Sequence, residues 1–402
     1  MGARPWRAAA VLPAIVTLLS CADAGDPEPA PVPAGLVVTA PDSVMTLGQV
    51  AQFTATYVDS TGTPIPGGRF TWESMFPPVA SVTSTGLVTA TGVGLGMILA
   101  STDSFTGAAA FEVIDSLITT RLPILGAPFG LAVAGATAYV TLAFADSLAI
   151  LDFPAERRLG AVATGDVPTS VAVNSAGTRA YVTDQFSEHL STFSLPTNTP
   201  AGGVTIPGSP YVTLTSANDG TVWVTSGSLD RVYAVNTTTL AIVDSAPTPA
   251  GPNGLARHPT LARLYVSGSF DGNVYELDAT TLDSLRSWSL GGSAQGMVVS
   301  TDGTTLFVAN EAGWIDVITL SNGAVGTPVV VAGSPFGLAL SPDGVRLAVS
   351  SANPGSVVVF NAASRTVLRT VRTGGVPRRL AYRSDGTRLL VTNESGWVDF
   401  IR

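Results

Sequence analysis

Apolar residues recur in a short strand pattern along the last two thirds of the chain. The pattern begins at residues 138, 180, 222, 264, 306, 347 and 389, where the chain reads AYVT, AYVT, VWVT, LYVS, LFVA, LAVS and LLVT. Successive copies are 42 residues apart, except for one interval of 41. Short apolar runs bounded by turn residues are typical of β-strands, so the spacing predicts seven equivalent units built on one strand type.

The surroundings of each copy predict further strands. Upstream lies a glycine turn followed by an apolar pair, as in GAPFGLA (126–132) and GSPFGLA (333–339). Downstream lies a third strand, as in SLAILD (147–152) and NVYELD (273–278). A fourth strand in the linking segment completes each unit. A period of about 40 to 50 residues with four strands indicates a β-propeller, because such sheets must stack to bury their faces.

The two ends of the repeat region predict how the ring closes. The chain stops at Arg402, directly after the third strand WVDFI (397–401), so the last unit lacks its fourth strand. Residues 116–124 precede the first glycine turn, just as TVLRTVRTG precedes the turn at 374. We therefore expect 116–124 to pair beside 397–401 and to remove an exposed strand edge. Residues 116–402 are thus predicted to form a seven-bladed β-propeller.

Two strand motifs and two turns connect this region with a known family. YVTD (181–184) and LVTN (390–393), together with SPDG (341–344) and SDGT (384–387), resemble the YVTN/YncE-type β-propeller family. The resemblance covers 116–402 and implies the propeller fold rather than a particular activity. The turn residues Asp302-Gly303, Asp343-Gly344 and Asp385-Gly386 are interpreted as hairpin turns that need positive φ, not as calcium ligands.

Residues 35–115 show a different strand pattern. VAQFTATYVD (50–59) alternates apolar and polar residues, and FTWES (70–74) is a second strand. Together with Gly48, VASV (79–82), GLVTATGVG (86–94) and FEV (111–113), these segments resemble the bacterial Ig-like group 2 (Big2-type) domain. The resemblance implies a β-sandwich, and Trp72 is then expected in the core between its sheets. The predicted fold class is all-β: an Ig-like β-sandwich followed by the propeller.

The first residues predict export. Arg4 and Arg7 precede a 12-residue apolar stretch, 8–19, which is too short to span a bilayer as a helix. The following Ser20-Cys21 resembles the lipobox of bacterial lipoproteins, which implies a signal peptide over 1–20 and a lipid anchor on Cys21. Residues 21–34 are Pro-rich and read as a tether. The absence of Asp after the cysteine favours the outer membrane, so the expected partner includes the membrane through Cys21.

Composition narrows the expected partners. Only 12% of the residues are charged, and the net charge is −9. Nucleic-acid binding needs a clustered basic face, and none appears, so no nucleic-acid partner is expected. Cys21 is the only cysteine, which excludes intrachain disulfides. The sequence predicts no cofactor.

The predicted ligand-binding face combines the loops before the first strand of each unit with those between the second and third strands. An acidic and partly aromatic rim of this kind suits a cation or a positively charged ligand. The residues assigned to this face are Phe129, Asp146, Asp184, Glu188, His189, Tyr211, Asp230, Asp271, Glu311, Phe336, Arg378 and Glu394.

Catalytic patterns are sparse. The chain has two histidines. His258 falls at a hairpin turn on the opposite face, whereas His189 lies near Asp184 and Glu188 and is the weak acid–base candidate. No nucleophile elbow in a strand–turn–helix context and no clustered Cys/His metal motif appears, so neither a catalytic residue nor a metal site is assigned.

The leading hypothesis is a non-enzymatic binding or scaffold protein of the cell envelope, whose loop face holds an unidentified protein, glycan or small molecule. The alternative is a hydrolase or lyase, since similar propellers occur in lactonases and streptogramin-type lyases; it would use His189 and nearby carboxylates. A quinone-dependent oxidoreductase is a third possibility, for which the sequence offers no cofactor site.

Overall fold

The computed structural model describes residues 31–402, and all regular elements there are β-strands. The predicted signal peptide, Cys21 and the tether as far as residue 30 lie outside the described residues. Within 31–402, no helix has the length and apolar character needed to cross a lipid bilayer.

Residues 35–114 form three small sheets. The strand orders are β1-β4-β5, β2-β10-β9-β6 and β3-β8-β7, where β2 runs parallel to β10 and the other pairs are antiparallel. The strands are Gly35–Thr39 (β1), Val44–Thr46 (β2), Val50–Gln52 (β3), Thr54–Val58 (β4), Pro64–Ile65 (β5), Thr71–Ser74 (β6), Ala80–Val82 (β7), Leu87–Ala90 (β8), Gly94–Ser101 (β9) and Thr106–Ile114 (β10).

The core of these sheets differs in two places from the expectation. The predicted strand 50–59 is divided at Phe53, whose buried ring packs edge-on against Phe111 with centroids 5.2 Å apart. The chain crosses there from the sheet of β3 to that of β4. Trp72 packs against this core as expected, but it lies on the edge strand β6 and is therefore only half-buried. Its ring covers Gly86, where an added Cβ would approach it to 2.8 Å.

Residues 118–289 begin with a single strand, Ile118–Pro123 (β11), and continue as four antiparallel sheets. Sheet 1 comprises Pro128–Ala134 (β12), Thr137–Leu142 (β13), Ser147–Asp152 (β14) and Arg157–Ala163 (β15). Sheet 2 comprises Pro168–Val173 (β16), Arg179–Asp184 (β17), His189–Ser194 (β18) and Thr199–Thr205 (β19). Sheet 3 comprises Pro210–Thr215 (β20), Thr221–Ser226 (β21), Arg231–Asn236 (β22) and Ile242–Pro247 (β23). Sheet 4 comprises Pro252–Arg257 (β24), Arg263–Gly268 (β25), Asn273–Asp278 (β26) and Ser284–Ser289 (β27).

Residues 294–401 form three more antiparallel sheets. In sheet 5 the outer strand is divided into two short segments that both pair with β30. Sheet 5 comprises Ala294–Val299 (β28), Thr305–Asn310 (β29), Trp314–Thr319 (β30), Ala324–Val325 (β31) and Val329–Val330 (β32). Sheet 6 comprises Ser334–Leu340 (β33), Arg346–Ala352 (β34), Ser356–Asn361 (β35) and Val367–Arg372 (β36). Sheet 7 comprises Pro377–Tyr382 (β37), Leu389–Asn393 (β38), Trp397–Ile401 (β39) and the early strand β11.

The seven sheets of residues 118–401 follow one another like the blades of a propeller. Their first strands contact each other in the order β12, β16, β20, β24, β28, β33 and β37, and β37 contacts β12. These first strands surround a central channel. Apolar side chains fill the space between neighbouring sheets, as where Tyr139 and Ile150 of sheet 1 pack with Val171 and Val182 of sheet 2. Packing between faces therefore holds the ring together.

Hydroxyl groups on the second strands join each sheet to the next at the channel. Thr183 donates to the carbonyl of Tyr211 at 3.0 Å, and Ser350 donates to that of Arg378 at 2.5 Å. Thr392 of sheet 7 donates to the carbonyl of Phe129 in sheet 1 at 2.7 Å. The last sheet is thereby hydrogen-bonded to the first.

The early strand β11 pairs antiparallel with β39, so the pairing expected between 116–124 and 397–401 is observed. Arg121 on β11 has a side chain only 5% exposed and donates to Asp399 through Nε at 2.7 Å and Nη2 at 3.0 Å. It also pairs with Glu112 of β10 and lies over the Trp397 ring. This strand therefore ties the first residues of the ring to the last and to the preceding sheets.

The hairpins between first and second strands confirm the turn interpretation. Gly303, Gly344 and Gly386 all have positive φ, between 69° and 73°. Asp302 accepts the N–H of Thr304 at 3.0 Å, as expected for a turn carboxylate. His258 is buried at the neighbouring turn, where Nδ1 accepts the N–H of Leu261 at 3.0 Å. It is a turn residue, as expected.

Candidate binding face and channel

Seven equivalent positions near the start of the first strands surround one end of the channel. Each follows the glycine turn of its sheet, and the repeat spacing places them at the same height. These positions are Phe129, Thr169, Tyr211, Asn253, Gln295, Phe336 and Arg378, and we call them the channel ring. Four of them (Phe129, Tyr211, Phe336 and Arg378) are residues that the sequence assigned to the ligand-binding face.

The aromatic members of the channel ring contact each other. The centroid of the Phe129 ring lies 6.0 Å from that of Tyr211 and 5.8 Å from that of Phe336, both edge-on. Arg378 lies over Phe336, with its guanidinium carbon 4.5 Å from the ring centroid. Phe129 and Phe336 are 6% and 3% exposed. These rings therefore fill this end of the channel instead of standing at an open rim.

The charges of the channel ring are balanced locally. Arg378 Nη2 donates to Glu394 at 2.8 Å, so these two predicted face residues form an ion pair. Burial raises the pKa of Tyr211 above its ordinary value, which is already high enough for the phenol to be neutral at physiological pH. Asn253 donates to Gln295 across adjacent sheets, while the buried Asn253 Oδ1 accepts no hydrogen bond from the described residues.

Three of the predicted rim acids join neighbouring sheets through backbone N–H groups. Asp146 accepts from Val167 at 2.9 Å and Asp230 accepts from Gly251 at 2.8 Å. Glu188 accepts from Gly208 at 3.3 Å. In each case a loop between second and third strands is attached to the first turn of the following sheet. All three acids remain exposed, so each combines this structural contact with a solvent-facing charge.

The other rim acids bond within their own sheet. Asp271 is exposed and accepts the N–H groups of Ala250 and Asn273, both at 3.0 Å. Glu311 is half-buried and lies 3.5 Å from the Ser293 hydroxyl. Within residues 31–402, no group of three or more His, Cys, Asp or Glu side chains is placed to hold a metal ion.

His189 and Asp184 lie together at the adjoining ends of β18 and β17. Asp184 is fully buried, and burial raises its pKa to about 6, although the Ser191 hydroxyl donates to it at 2.5 Å. His189 Nδ1 is 4.0 Å from Asp184 and 3.3 Å from Ser191 Oγ, and burial lowers the pKa of the imidazole. The imidazole lies against Gly203 of the outer strand β19, where an added Cβ would meet it at 2.1 Å.

The Ser191 hydroxyl donates to the Asp184 carboxylate. The imidazole of His189 lies beside the outer strand β19, away from the channel ring. In a serine hydrolase the nucleophile donates its hydroxyl proton to the imidazole, whereas Ser191 donates to Asp184 at 2.5 Å and lies 3.3 Å from the imidazole Nδ1. The role of His189 in a hydrolase or lyase stays a prediction.

Three exposed phenylalanines were missed by the sequence reasoning. Phe144, Phe186 and Phe270 are 83%, 71% and 82% exposed. They occupy the loops between second and third strands of sheets 1, 2 and 4, at equivalent repeat positions 42 and 84 residues apart. Aligning the loops, and not only the strands, would have found them.

The backbone holds these phenylalanines in one geometry. The N–H of Phe144 donates to Gly126 at 2.8 Å, that of Phe186 to Asp166 at 3.2 Å, and that of Phe270 to Ala250 at 3.1 Å. Each acceptor lies in the first turn of the same sheet. The three rings are therefore presented on one face by a repeated turn.

A cavity lies in the channel beyond the channel ring, on the side towards the ends of the first strands. Its volume is about 340 Å³. Most of its lining residues are aliphatic, and Ser170, Thr213, Thr215 and one charged residue, Arg379, contribute polar surface beside them. We call this space the channel cavity. Arg379 was not assigned to a site from the sequence, because only the neighbouring Arg378 fell at the turn position.

Comparisons with known proteins agree with the architecture. A structure of Kuenenia stuttgartiensis hydrazine synthase matches with a TM-score of 0.64 and 18% identity, over 69% of this chain and 96% of that one. At this identity the likeness shows the fold alone. No family model matches the chain. No curated protein matches it significantly.

Proposed function

We propose that this protein is an exported lipoprotein of the cell envelope, anchored at Cys21, in which an Ig-like domain carries a seven-bladed propeller that binds a protein partner. The cyclic order of seven sheets supports the blade number, and the lipobox-like sequence supports the anchor. The observation that carries the binding function is the display of Phe144, Phe186 and Phe270 on one face.

Exposed apolar residues are common one at a time, but the repetition of large aromatic rings on one face is informative. An exposed phenyl ring has few rotatable bonds and a large contact area, which makes aromatic residues frequent anchors of protein interfaces. The three loops are also fixed by backbone hydrogen bonds, so little conformational entropy would be lost when a partner covers them.

The charges of this face define the chemistry of the partner. The loops of sheets 1 to 4 present the exposed carboxylates of Asp146, Asp166, Glu188, Asp230 and Asp271. A partner that offers Arg or Lys side chains next to apolar residues would complement both features. The face therefore selects a basic and apolar protein segment.

The test compares two triple variants of the full chain. F144S/F186S/F270S removes the displayed rings, whereas L159S/V243S/L285S removes exposed apolar residues from the outer strands of sheets 1, 3 and 4. A set of basic–apolar and acidic–apolar peptides is titrated against each protein, with affinity measured by fluorescence anisotropy at low and high salt.

We expect the wild type and the outer-strand variant to bind basic–apolar peptides, with affinity that falls as salt is raised. The phenylalanine variant should bind at least about tenfold more weakly, as expected for loss of aromatic anchors. Equal binding by both variants, or a preference for acidic peptides, would show that this face is not the binding surface.

A further inference from the structure

Arg379 occupies an unusual position beside the channel. At the corresponding place in four other sheets the first strand has glycine, namely Gly130, Gly254, Gly296 and Gly337. The absence of side chains there leaves room for the Arg379 side chain to cross the channel. Its Nη1 comes within 3.2 Å of where a Cβ on Gly296 would lie, and its guanidinium carbon is 4.8 Å from the Phe336 centroid.

The guanidinium of Arg379 has little hydrogen bonding and no acidic partner. Its side chain makes a single hydrogen bond within residues 31–402, from Nη2 to the carbonyl of Asn253 at 3.3 Å. No carboxylate of that part of the chain forms an ion pair with it. Burial in the channel lowers its pKa, and the nearby Arg378 lowers it further. An arginine has five N–H donors, so most of its donor capacity is unused.

A second polar group in the wall also lacks a partner. Thr213 is 5% exposed, and its buried hydroxyl oxygen makes no hydrogen bond with the described residues. Thr213 and Arg379 both line the channel cavity. The Thr213 hydroxyl oxygen is itself enclosed, so the half-buried Arg379, with one hydrogen bond and no acidic partner, is the group in this wall that an anionic ligand would complete.

The rest of the wall defines the body of that ligand. Leu131, Val133, Leu255, Leu338 and Leu380 contribute aliphatic surface to the channel cavity. The volume of about 340 Å³ is within the usual range of small-molecule sites. The aromatic contacts of the channel ring close the far end of this space.

We propose that the channel cavity binds a small monocarboxylate with an apolar body, whose carboxylate pairs with Arg379 and whose body contacts the leucines. A carboxylate accepts two parallel hydrogen bonds from a guanidinium, and this geometry is strongest where water is excluded. An inorganic phosphate would satisfy the arginine but would leave the aliphatic wall uncovered. This site is separate from the displayed phenylalanines and does not depend on the proposed protein binding.

Isothermal titration calorimetry on the full chain tests the site with hexanoate, acetate, hexanamide and inorganic phosphate as probes. We expect hexanoate to bind more tightly than the other three, because only hexanoate combines the charge with the apolar body. R379Q should weaken hexanoate binding about tenfold or more, as for loss of a charged hydrogen-bonded pair. The control R158Q, on the outer strand of sheet 1, should bind hexanoate like wild type.

A second variant keeps the test decisive if R379Q does not fold. L338F narrows the channel cavity and leaves Arg379 in place, so it should weaken hexanoate more than acetate. Equal binding of hexanoate and hexanamide, tighter binding of phosphate than of hexanoate, or unchanged hexanoate affinity in both variants would overturn the proposal. Failure of hexanoate to bind wild type at millimolar concentration would do the same.

Discussion

The first three sheets of the ring and the last four have different residues at the end of the loop between their second and third strands. Where the loop between second and third strands needs positive φ, sheets 1 to 3 have Asp146, Glu188 and Asp230, with φ between 43° and 49°. Sheets 4 to 7 have glycine at the equivalent place. These glycines are Gly272, Gly313, Gly355 and Gly396.

Two of the glycine turns, at Gly272 and Gly355, are approached closely by backbone, whereas a Cβ on Gly313 would have its nearest atoms at 3.6 Å and one on Gly396 would meet nothing within 4 Å. A Cβ added to Gly272 would lie 2.6 Å from the Gly291 backbone, and one added to Gly355 would lie 2.5 Å from that of Gly374. In sheets 1 and 3, the side chains of Asp146 and Asp230 lie between their own loop and the first turn of the next sheet. They accept backbone N–H groups of that turn at 2.9 Å and 2.8 Å. The comparison shows that a positive φ at the end of this loop occurs both with close backbone contact, at Gly272 and Gly355, and with a bridging carboxylate, at Asp146 and Asp230.

The functional difference follows from this structural one. Two of the three sheets that display an exposed phenylalanine carry the acidic turns, and the third is sheet 4 next to them. Arg378 and Arg379, in contrast, come from sheet 7. The displayed phenylalanines and the channel arginines therefore belong to different sheets of the ring.

Substitutions where the early strand β11 completes sheet 7 should have the largest effect on the stability of the ring. We expect R121A to lower the free energy of unfolding by about 3–5 kcal/mol, because it leaves the buried Asp399 carboxylate without its cation. Urea denaturation at neutral pH measures this loss. Arg157, which is 64% exposed and 3.7 Å from Asp152, is the matched control. R157A should change stability by less than about 1 kcal/mol; equal losses in both variants would contradict a special role for the closing strand.

Asp184 should make the stability of the ring dependent on pH. The ordinary carboxyl pKa is about 4, whereas the folded value is about 6. The folded state therefore binds this proton more tightly, and the contribution of Asp184 to the free energy of unfolding falls as pH rises from about 4 to about 6. We expect D184N to be more stable than wild type at pH 7, by on the order of 2 kcal/mol.

The same variant should show little advantage near pH 4, where Asp184 is protonated in the folded state and about half protonated in the unfolded state. Urea denaturation at both pH values provides the comparison. D271N, at an exposed aspartate, serves as control and should keep the wild-type difference between the two pH values. A D184N advantage that is equal at both pH values would rule out titration as its cause.

Exchanging glycine and aspartate between the two kinds of turn should give the smallest changes in the free energy of unfolding. The two exchanges should also differ in cost. G355D is expected to cost about 2 kcal/mol, because its Cβ meets the backbone of Gly374. D230G should cost less than about 1 kcal/mol, since the lost hydrogen bond is offset by relief of the positive φ. Chemical denaturation of both variants measures the difference. Similar costs would mean that the turn at Gly355 is no more closely packed than the turn at Asp230.

Much of the ring was accessible from the sequence. The repeated AYVT-type segments predicted the second strands, and the incomplete last unit predicted the pairing of β11 with β39. Both inferences rest on backbone hydrogen bonding and on periodic burial, which require a regular spacing of apolar and turn residues in the sequence. The division of the strand at Phe53 and the partial exposure of Trp72 could not be predicted from such spacing, because each depends on which of the three small sheets a strand joins.

The candidate sites were less accessible. Phe129 and Phe336 were expected on an aromatic rim, but the structure places them in contact inside the channel. The rim acids were expected to face a ligand, and Asp146, Glu188 and Asp230 also bridge adjacent sheets. These differences arise because loop residues that share a face still differ in whether they point inward, sideways or to solvent.

The sequence by itself determined the repeat, its strands and the strand that completes the last sheet, since a regular spacing of apolar residues and turns permits few backbone pairings. Only the tertiary structure decided that Arg379 crosses the channel and that Phe144, Phe186 and Phe270 stay in solvent. Those outcomes depend on the shape of the space that distant residues leave, and this space exists only after the sheets have come together.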